Sequence, residues 1–207
     1  MEFFVTATTP SRQRTDCAIV GVFDKGVLTT AAEDLDRKLG GRIARLAKRG
    51  DVRGKFGDTL LLADVSGAAC ERVLLVGLGS KASFGRKQYR KAISTALTVL
   101  AKTGAKDAVN YLSLESVKEA DSYALARAAV ETVGNAQYRI PDHKTANKRA
   151  KFSLTRFGIA AESRGDRTAA ERGVEHAQAI VAGMSLMRDL ANQPANVCTP
   201  TYLAMAA

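Results

Sequence analysis

One short run of residues limits the choice of fold more than any other part of the sequence. Residues Cys17 to Phe23 are all apolar or glycine, and they include the β-branched residues Ile19, Val20 and Val22. A strand that is apolar at every position, rather than at alternate positions, is buried on both of its faces. The run therefore predicts a strand in the middle of a sheet that is covered on both sides.

The rest of the chain alternates between predicted strands and predicted helices. Strands are predicted at residues 3–5, 59–63, 72–76, 108–112 and 152–160, and helices at residues 31–39, 42–49, 87–102, 116–137 and 168–190. Ser66 and Gly67 lie in the short loop between the strands at 59–63 and 72–76, which predicts a hairpin. The interleaved order predicts the α/β class, with a mixed sheet sandwiched between helices and followed by a long linker helix.

A change in composition near residue 161 predicts a domain boundary. We expect an α/β domain at residues 1–161, a connecting helix at 162–192, and a hinge with the start of a second domain at 193–207. In the hinge, Thr199 and Pro200 predict the start of a new helix, with threonine as the N-cap and proline in the first helical position. Because the sequence stops at Ala207, soon after this start, we expect a fragment of a longer protein.

The sequence disfavours a disulfide-linked protein, a zinc protein and a membrane-spanning protein. Cys17, Cys70 and Cys198 are far apart without a C-x-x-C pair, and the two histidines, His143 and His176, are isolated. Free thiols in a reducing compartment are therefore expected, and a zinc site is not. No apolar run approaches the ~20 residues of a membrane span, and the first residues lack a basic signal-peptide start. We expect a cytoplasmic protein.

Motifs that would carry chemistry are weak. The segment from Gly77 to Ala82 follows a strand in a loose G-x-G-x-x-A pattern, which could bind phosphate through its backbone amides. The next helix is predicted to begin several residues later than in a dinucleotide fingerprint, so a strand-end turn is the simpler interpretation and a ligand such as ADP-ribose is the alternative. There is no G-x-S-x-G, H-E-x-x-H or paired-carboxylate motif, so the chain is not expected to form an active site alone.

The basic residues give a stronger signal. The net charge is +10 and the pI is about 9.7, and one stretch is especially basic. In that stretch the residues that could bind duplex DNA are Arg42, Arg45, Lys48, Arg49, Arg53 and Lys55. Further clusters are formed by Lys81, Arg86, Lys87, Arg90 and Lys91, and by Arg139, Lys144, Lys148, Arg149 and Lys151. Such clusters can bind phosphates through charge alone. The alternative is a solvated basic face, and the lack of interleaved aromatic residues disfavours single-strand recognition.

The hinge resembles a segment of a known family. Residues 188–204 closely resemble the link between the two domains of leucyl (cytosol) aminopeptidases, where an Asn-x-Pro-x-Asn…Thr-Pro…Leu-Ala signature follows an interdomain helix. The matching residues are Asn192, Pro194, Asn196, Thr199, Pro200 and Leu203. Residues 54–62 and 72–79 are also similar to the N-terminal domain of that family, so the resemblance covers essentially the whole chain.

The resemblance implies a macro-domain-like fold and a division of labour between two domains. In this family the C-terminal domain holds two divalent metals, usually zinc or manganese, and removes N-terminal residues, preferably leucine, from peptides. A metal-bridging water attacks the scissile carbonyl. The family's Asn-Thr-Asp-Ala-Glu-Gly-Arg motif is absent here, so we expect this chain to carry no catalytic or metal residue, to bind no cofactor and to be inactive alone.

The resemblance also implies partners. Members of the family assemble as homo-hexamers with the N-terminal domains outward, where they would steady the hexamer or guard access to the active site. Some bacterial members bind DNA, and the basic clusters described above would suit that role.

Overall fold

The computed structural model describes residues 1–139 and 153–206, which form a single seven-stranded sheet and six α-helices. The strands are β1 (Glu2–Thr6), β2 (Cys17–Phe23), β3 (Val27–Leu28), β4 (Thr59–Leu62), β5 (Val73–Gly79), β6 (Asp107–Asn110) and β7 (Arg156–Ala160). The helices are α1 (Thr30–Lys38), α2 (Arg42–Arg49), α3 (Arg86–Leu100), α4 (Ser122–Gln137), α5 (Arg164–Ala191) and α6 (Pro200–Ala206).

The sheet is mostly parallel and has β2 near its centre. The strand order is β1-β7-β6-β2-β5-β4, with the short β3 paired to β2. Neighbouring strands from β1 to β5 in this order are parallel, whereas β4 pairs antiparallel with β5. The predicted hairpin is therefore confirmed. Every residue of β2 is buried, which also confirms the prediction from its apolar run.

Two apolar cores lie on opposite faces of the sheet. Cys17 and Ile19 of β2 pack in the core that α3, α4 and α5 cover. The alternate residues Ala18 and Val20 pack in the core that α1 and α2 cover. Successive side chains of a strand point to opposite faces, so a strand that is apolar throughout serves both cores. The predicted α/β sandwich is confirmed.

Helices α4 and α5 begin several residues away from their predicted starts, because the N-caps decide where they start. Helix α4 was expected from residue 116 but begins at Ser122, where the Asp121 carboxylate accepts a hydrogen bond from the Ala124 N–H at 2.8 Å. Helix α5 begins earlier than the predicted residue 168, because the Ser163 hydroxyl accepts from the Asp166 N–H at 3.0 Å. The predicted strand at 152–160 is observed from Arg156, and Phe152 lies outside the described residues.

The buried residues of helix α5 all lie in its first half. Ala170, Val174 and Ala177 are buried in the core shared with α3 and α4, whereas Leu186 and Met187 in the second half are 51% and 59% exposed. Within residues 1–139 and 153–206, no helix combines the length and the apolar character needed to cross a membrane. The domain limits at residues 161 and 192 remain a prediction. Because the buried residues of α5 all lie in its first half, chains shortened before or after α5 can test these limits.

Candidate functional site

Helix α2 presents basic side chains on its outer face. Its inner face carries Ile43, which is buried against the sheet, and Leu46 and Ala47, which are partly buried. The helix starts at a fixed position because the Asp36 carboxylate accepts hydrogen bonds from the amides of Ile43, at 2.7 Å, and Ala44, at 3.0 Å. Packing on one side and capping at one end therefore hold the basic face outward.

The six residues proposed for duplex DNA all lie at the surface, and we call them the α2 surface. Its members are Arg42, Arg45, Lys48, Arg49, Arg53 and Lys55. None of the salt bridges formed by the described residues uses any of the six. The Arg45 guanidinium donates to the Gly40 carbonyl at 2.6 Å. The charges of this surface are thus not neutralised by a carboxylate in that part of the chain, although DNA binding itself remains a prediction.

A glycine turn between Arg53 and Lys55 of the α2 surface packs against the end of β5. Gly54 has φ +77°, and a Cβ there would stand 1.9 Å from the Phe23 carbonyl oxygen. The Gly79 N–H donates to the Gly54 carbonyl at 2.9 Å, and the Gly77 N–H donates to the Asp58 carbonyl at 2.8 Å. The two glycine amides of the weak phosphate-binding motif are therefore already paired. This geometry favours the strand-end turn over a nucleotide loop at residues 77–82.

The second basic cluster lies on a groove between α3 and α4, which we call the α3–α4 groove. The groove has a volume of about 680 Å³. It is lined by Phe56, Lys87, Gln88, Arg90, Lys91, Ser94, Thr132, Asn135 and Ala136. Lys81 and Arg86 are not among the lining residues, and the Lys81 ammonium instead lies 5.7 Å from the centroid of the Phe23 ring. Sequence reasoning missed Phe56, because this aromatic residue reaches the cluster only through the fold.

The Glu131 carboxylate pairs with two arginines beside the α3–α4 groove. Glu131 accepts from the guanidinium groups of Arg90, at 2.6 Å, and Arg127, at 2.8 Å. Burial acts to raise the pKa of Glu131, but the hydrogen bonds and charges of the two arginines outweigh it, so that the pKa is lowered. Lys87 and Lys91 are exposed and take part in none of the salt bridges of the described residues.

The third basic cluster falls largely on residues that the structure does not describe. Lys144, Lys148, Arg149 and Lys151 lie outside the described residues, as does His143. Arg139 is described, and its guanidinium donates to the Ala136 carbonyl at 2.8 Å.

The hinge has the local geometry that its sequence predicts. The Thr199 hydroxyl accepts from the Tyr202 N–H at 3.3 Å, and Pro200 is the first residue of α6. The predicted helix start is confirmed. At the other end of the hinge, the Asn192 side-chain amide donates to the Tyr138 hydroxyl at 3.4 Å. That hydroxyl donates to the Asp189 carboxylate at 3.0 Å, so α4 holds the end of α5. Asn196 is exposed, and the interdomain role of the hinge residues stays a prediction.

The thiols of Cys17 and Cys70 are buried and neutral rather than reactive. Burial raises the pKa of Cys17 to about 12 and that of Cys70 to about 11, so both remain protonated near pH 7. Both side chains are free, and so is Cys198. Among residues 1–139 and 153–206, no group of three or more His, Cys, Asp or Glu side chains is arranged to hold a metal ion.

Comparison with known protein sequences gives one consistent match. The model of the cytosol aminopeptidase family, N-terminal domain, matches residues 19–147. The chain is 40% identical over 207 residues to a probable cytosol aminopeptidase of Shewanella sediminis and 39% identical to one of Tolumonas auensis. Both alignments cover all of this chain but 41% of the relative. The chain thus spans less than half the length of the curated relatives that it matches.

Solved structures share the same fold. A mutant of tomato leucine aminopeptidase matches with a TM-score of 0.74 and 21% identity, over 99% of this chain and 41% of the other. The bottromycin maturation enzyme BotP in complex with Mn matches with a TM-score of 0.63 and 20% identity, over 92% of this chain and 35% of the other. At these identities the likeness establishes the fold alone.

Proposed function

Because the chain belongs to the cytosol aminopeptidase family and matches its N-terminal domain, we propose that it is the non-catalytic domain of a metal-dependent leucyl aminopeptidase. The observation that carries this proposal is the family match at residues 19–147 in a chain that covers 41% of its relatives. The whole protein would remove N-terminal residues, preferably leucine, from peptides in the cytoplasm. Two divalent ions, manganese or zinc, would be held in the part of the protein that corresponds to the rest of the relatives.

The second half of α5 and the hinge would pack against the catalytic domain of the whole enzyme. Five large apolar side chains in this region are well exposed: Leu186, Met187, Val197, Leu203 and Met205. Exposed apolar side chains in such a number are typical of a surface that packs against another domain. We propose that the domain either steadies a hexamer or guards access to the active site of the whole enzyme.

An activity assay tests the non-catalytic role. The 207-residue chain is incubated with leucine p-nitroanilide and Mn²⁺, beside the longer relative from Shewanella sediminis as the positive control. We expect turnover from the relative and none above the buffer rate from this chain. Turnover by the chain that a chelator abolishes would contradict the proposal. Formation of a hexamer by the chain alone, measured by sedimentation, would favour the organising role.

A second candidate function is binding of duplex DNA through the α2 surface. The observation that favours it is the exposure of six cations that form no salt bridge within the described residues. Phosphate contacts of this kind make binding steeply dependent on salt. In a gel-shift titration at about 50 and 200 mM salt, the variant Arg45→Ala/Lys48→Ala should bind less tightly and lose about two units of salt slope. The exposed Lys102→Ala is the matched control, and no binding by the wild type at the lower salt concentration would refute this function.

A further inference from the structure

We propose that the α3–α4 groove binds a nucleoside phosphate unit, either as a free nucleotide or within a single nucleic-acid strand. This site differs from the α2 surface and from the paired glycine loop, and it does not depend on the aminopeptidase assignment. It combines three features in one concave surface: cations that are free to meet a phosphate, an exposed aromatic ring, and neutral polar groups.

The cations of the groove are arranged along one face of α3. Lys87, Lys91 and Ser94 follow one another at helical spacing and line the same groove. The backbone positions of Lys87 and Lys91 are about 6 Å apart along the helix axis. Two ammonium groups at this separation can contact one phosphate group together or two neighbouring phosphates of a strand.

The charge balance of the groove favours an anion. Arg90 shares the Glu131 carboxylate with Arg127, so Glu131 is matched by two guanidinium groups. Lys87 and Lys91 therefore add positive charge that no carboxylate of the described residues neutralises through a salt bridge. Arg90 contacts Glu131 at 2.6 Å, which positions its guanidinium group at one wall of the groove.

Phe56 supplies the feature that distinguishes a nucleotide from other anions. Its side chain is 44% exposed although it is large and apolar. The turn that carries it is fixed on both sides, since the Gly57 N–H donates to the Gly77 carbonyl and the Asp58 N–H donates to the Lys55 carbonyl, both at 3.0 Å. An exposed aromatic ring held beside lysines is the arrangement in which a base stacks while its phosphate meets the cations.

The size and the polar lining of the groove agree with such a ligand. A volume of about 680 Å³ lies in the range of sites that hold small organic ligands. The exposed Asn135 amide can donate to and accept from the edge of a base. An acidic peptide would use the lysines equally well, but it would leave the aromatic ring without a role. The nucleoside phosphate accounts for both features.

Fluorescence anisotropy tests the proposal with the whole 207-residue chain. The probe is a fluorescein-labelled oligothymidylate of about twelve nucleotides, within the usual site size for single strands, and the competitors are ATP, pyrophosphate and a poly-glutamate peptide. Phe56→Leu should weaken the affinity for the oligonucleotide and for ATP about tenfold, but not for pyrophosphate. Lys87→Glu/Lys91→Glu should weaken all three by at least that factor. The matched control Lys102→Glu, just beyond the C-terminal end of α3, should change the affinities less than about twofold.

The outcomes separate the two sources of the ligand and can overturn the site. Displacement of the probe by ATP assigns the groove to a free nucleotide, whereas probe binding that ATP does not displace assigns it to a strand. The proposal is wrong if neither the oligonucleotide probe nor ATP binds at low salt. It is also wrong if poly-glutamate displaces the probe as well as ATP does, or if Lys102→Glu weakens the affinities as much as the groove variants do. Circular dichroism checks the fold, and Lys87→Gln/Lys91→Gln replaces the double glutamate variant if that variant is unfolded.

Discussion

Glu131 is the residue whose ionisation is most clearly tied to the stability of the fold. Its side chain is 11% exposed and pairs with Arg127 of the same helix and with Arg90 of α3, so that the Arg90 pair joins α3 to α4. Since the pKa of Glu131 is lowered in the folded protein, its stabilisation is present above the ordinary carboxyl pKa and is lost as the pH falls through the folded-state pKa.

Glu131→Gln should therefore lower the free energy of unfolding by about 1–2 kcal/mol near pH 7. The difference from the wild type should shrink as the pH falls through the lowered pKa of Glu131, where the wild-type carboxylate also takes up a proton. Urea unfolding followed across this pH range measures the effect. Glu171→Gln is the control, because the Arg167–Glu171 pair is about half exposed and should contribute less than about 0.5 kcal/mol. An equal penalty for Glu131→Gln at every pH would contradict this account.

Residue identity alone predicted part of the candidate surfaces and missed the rest. The exposure of Arg45 and Lys48 follows from the helical spacing of α2, because Ile43 and Leu46 occupy the inner face. The proximity of Phe56 to Lys87 could not be predicted in the same way, since the hairpin and α3 must both be in place before the two residues line one groove. Local periodicity predicts which side of a helix is exposed to solvent. It does not predict which residue from a distant part of the sequence lies beside that exposed side.

At the scale of elements, helix α2 depends on a cap from outside its own first turn. Its formal N-cap is Gly41, which has no side chain, and the Asp36 carboxylate of α1 bonds the free amides of Ile43 and Ala44 instead. Such a cap satisfies two of the amides that the first turn of a helix leaves without partners.

Asp36→Ala should therefore destabilise the protein by about 1 kcal/mol and should speed amide hydrogen exchange at Ile43 and Ala44 more than elsewhere. Asp51→Ala is the matched control, since Asp51 is exposed just beyond the other end of α2 and should change stability by less than about 0.5 kcal/mol. Unchanged exchange at Ile43 and Ala44 in the Asp36 variant would show that the cap is not needed. Loss of duplex-DNA affinity in the same variant would indicate that the Asp36 cap is needed to position the basic side chains of the α2 surface.

The elements differ in how well the sequence predicted them, and caps explain the difference. Strand β2 and helix α2 were predicted with their observed limits, because apolar runs and periodic faces are local signals. The start of α4 was placed too early, since residues 116–120 continue a helix-like composition although Val117 is buried in a loop. The Asp121 side chain, rather than the apolar pattern, decides where that helix begins.

At the scale of the whole molecule, α5 joins two environments. Its first half completes a core through Ala170, Val174 and Ala177. Its contact with α4 is close, because a Cβ on Gly173 would stand 2.5 Å from the Tyr123 carbonyl oxygen. Among the described residues, the second half of α5 and the hinge contribute none to the buried core. The predicted boundary at residue 161 follows a change in composition. The burial of Ala170, Val174 and Ala177 predicts instead that the first part of the linker unfolds together with the α/β domain.

Two shortened chains test where that unit ends. A chain of residues 1–191 should unfold at nearly the same urea concentration as the 207-residue chain, because the described residues after α5 have no buried side chain. A chain of residues 1–161 should lose cooperative unfolding, because removal of α5 exposes the apolar surface of α4 that it covers. Burial of this extent contributes on the order of 5 kcal/mol or more, which is comparable with the whole stability of a domain. Cooperative unfolding of the 1–161 chain with unchanged stability would instead place the boundary at residue 161 and make all of α5 a linker.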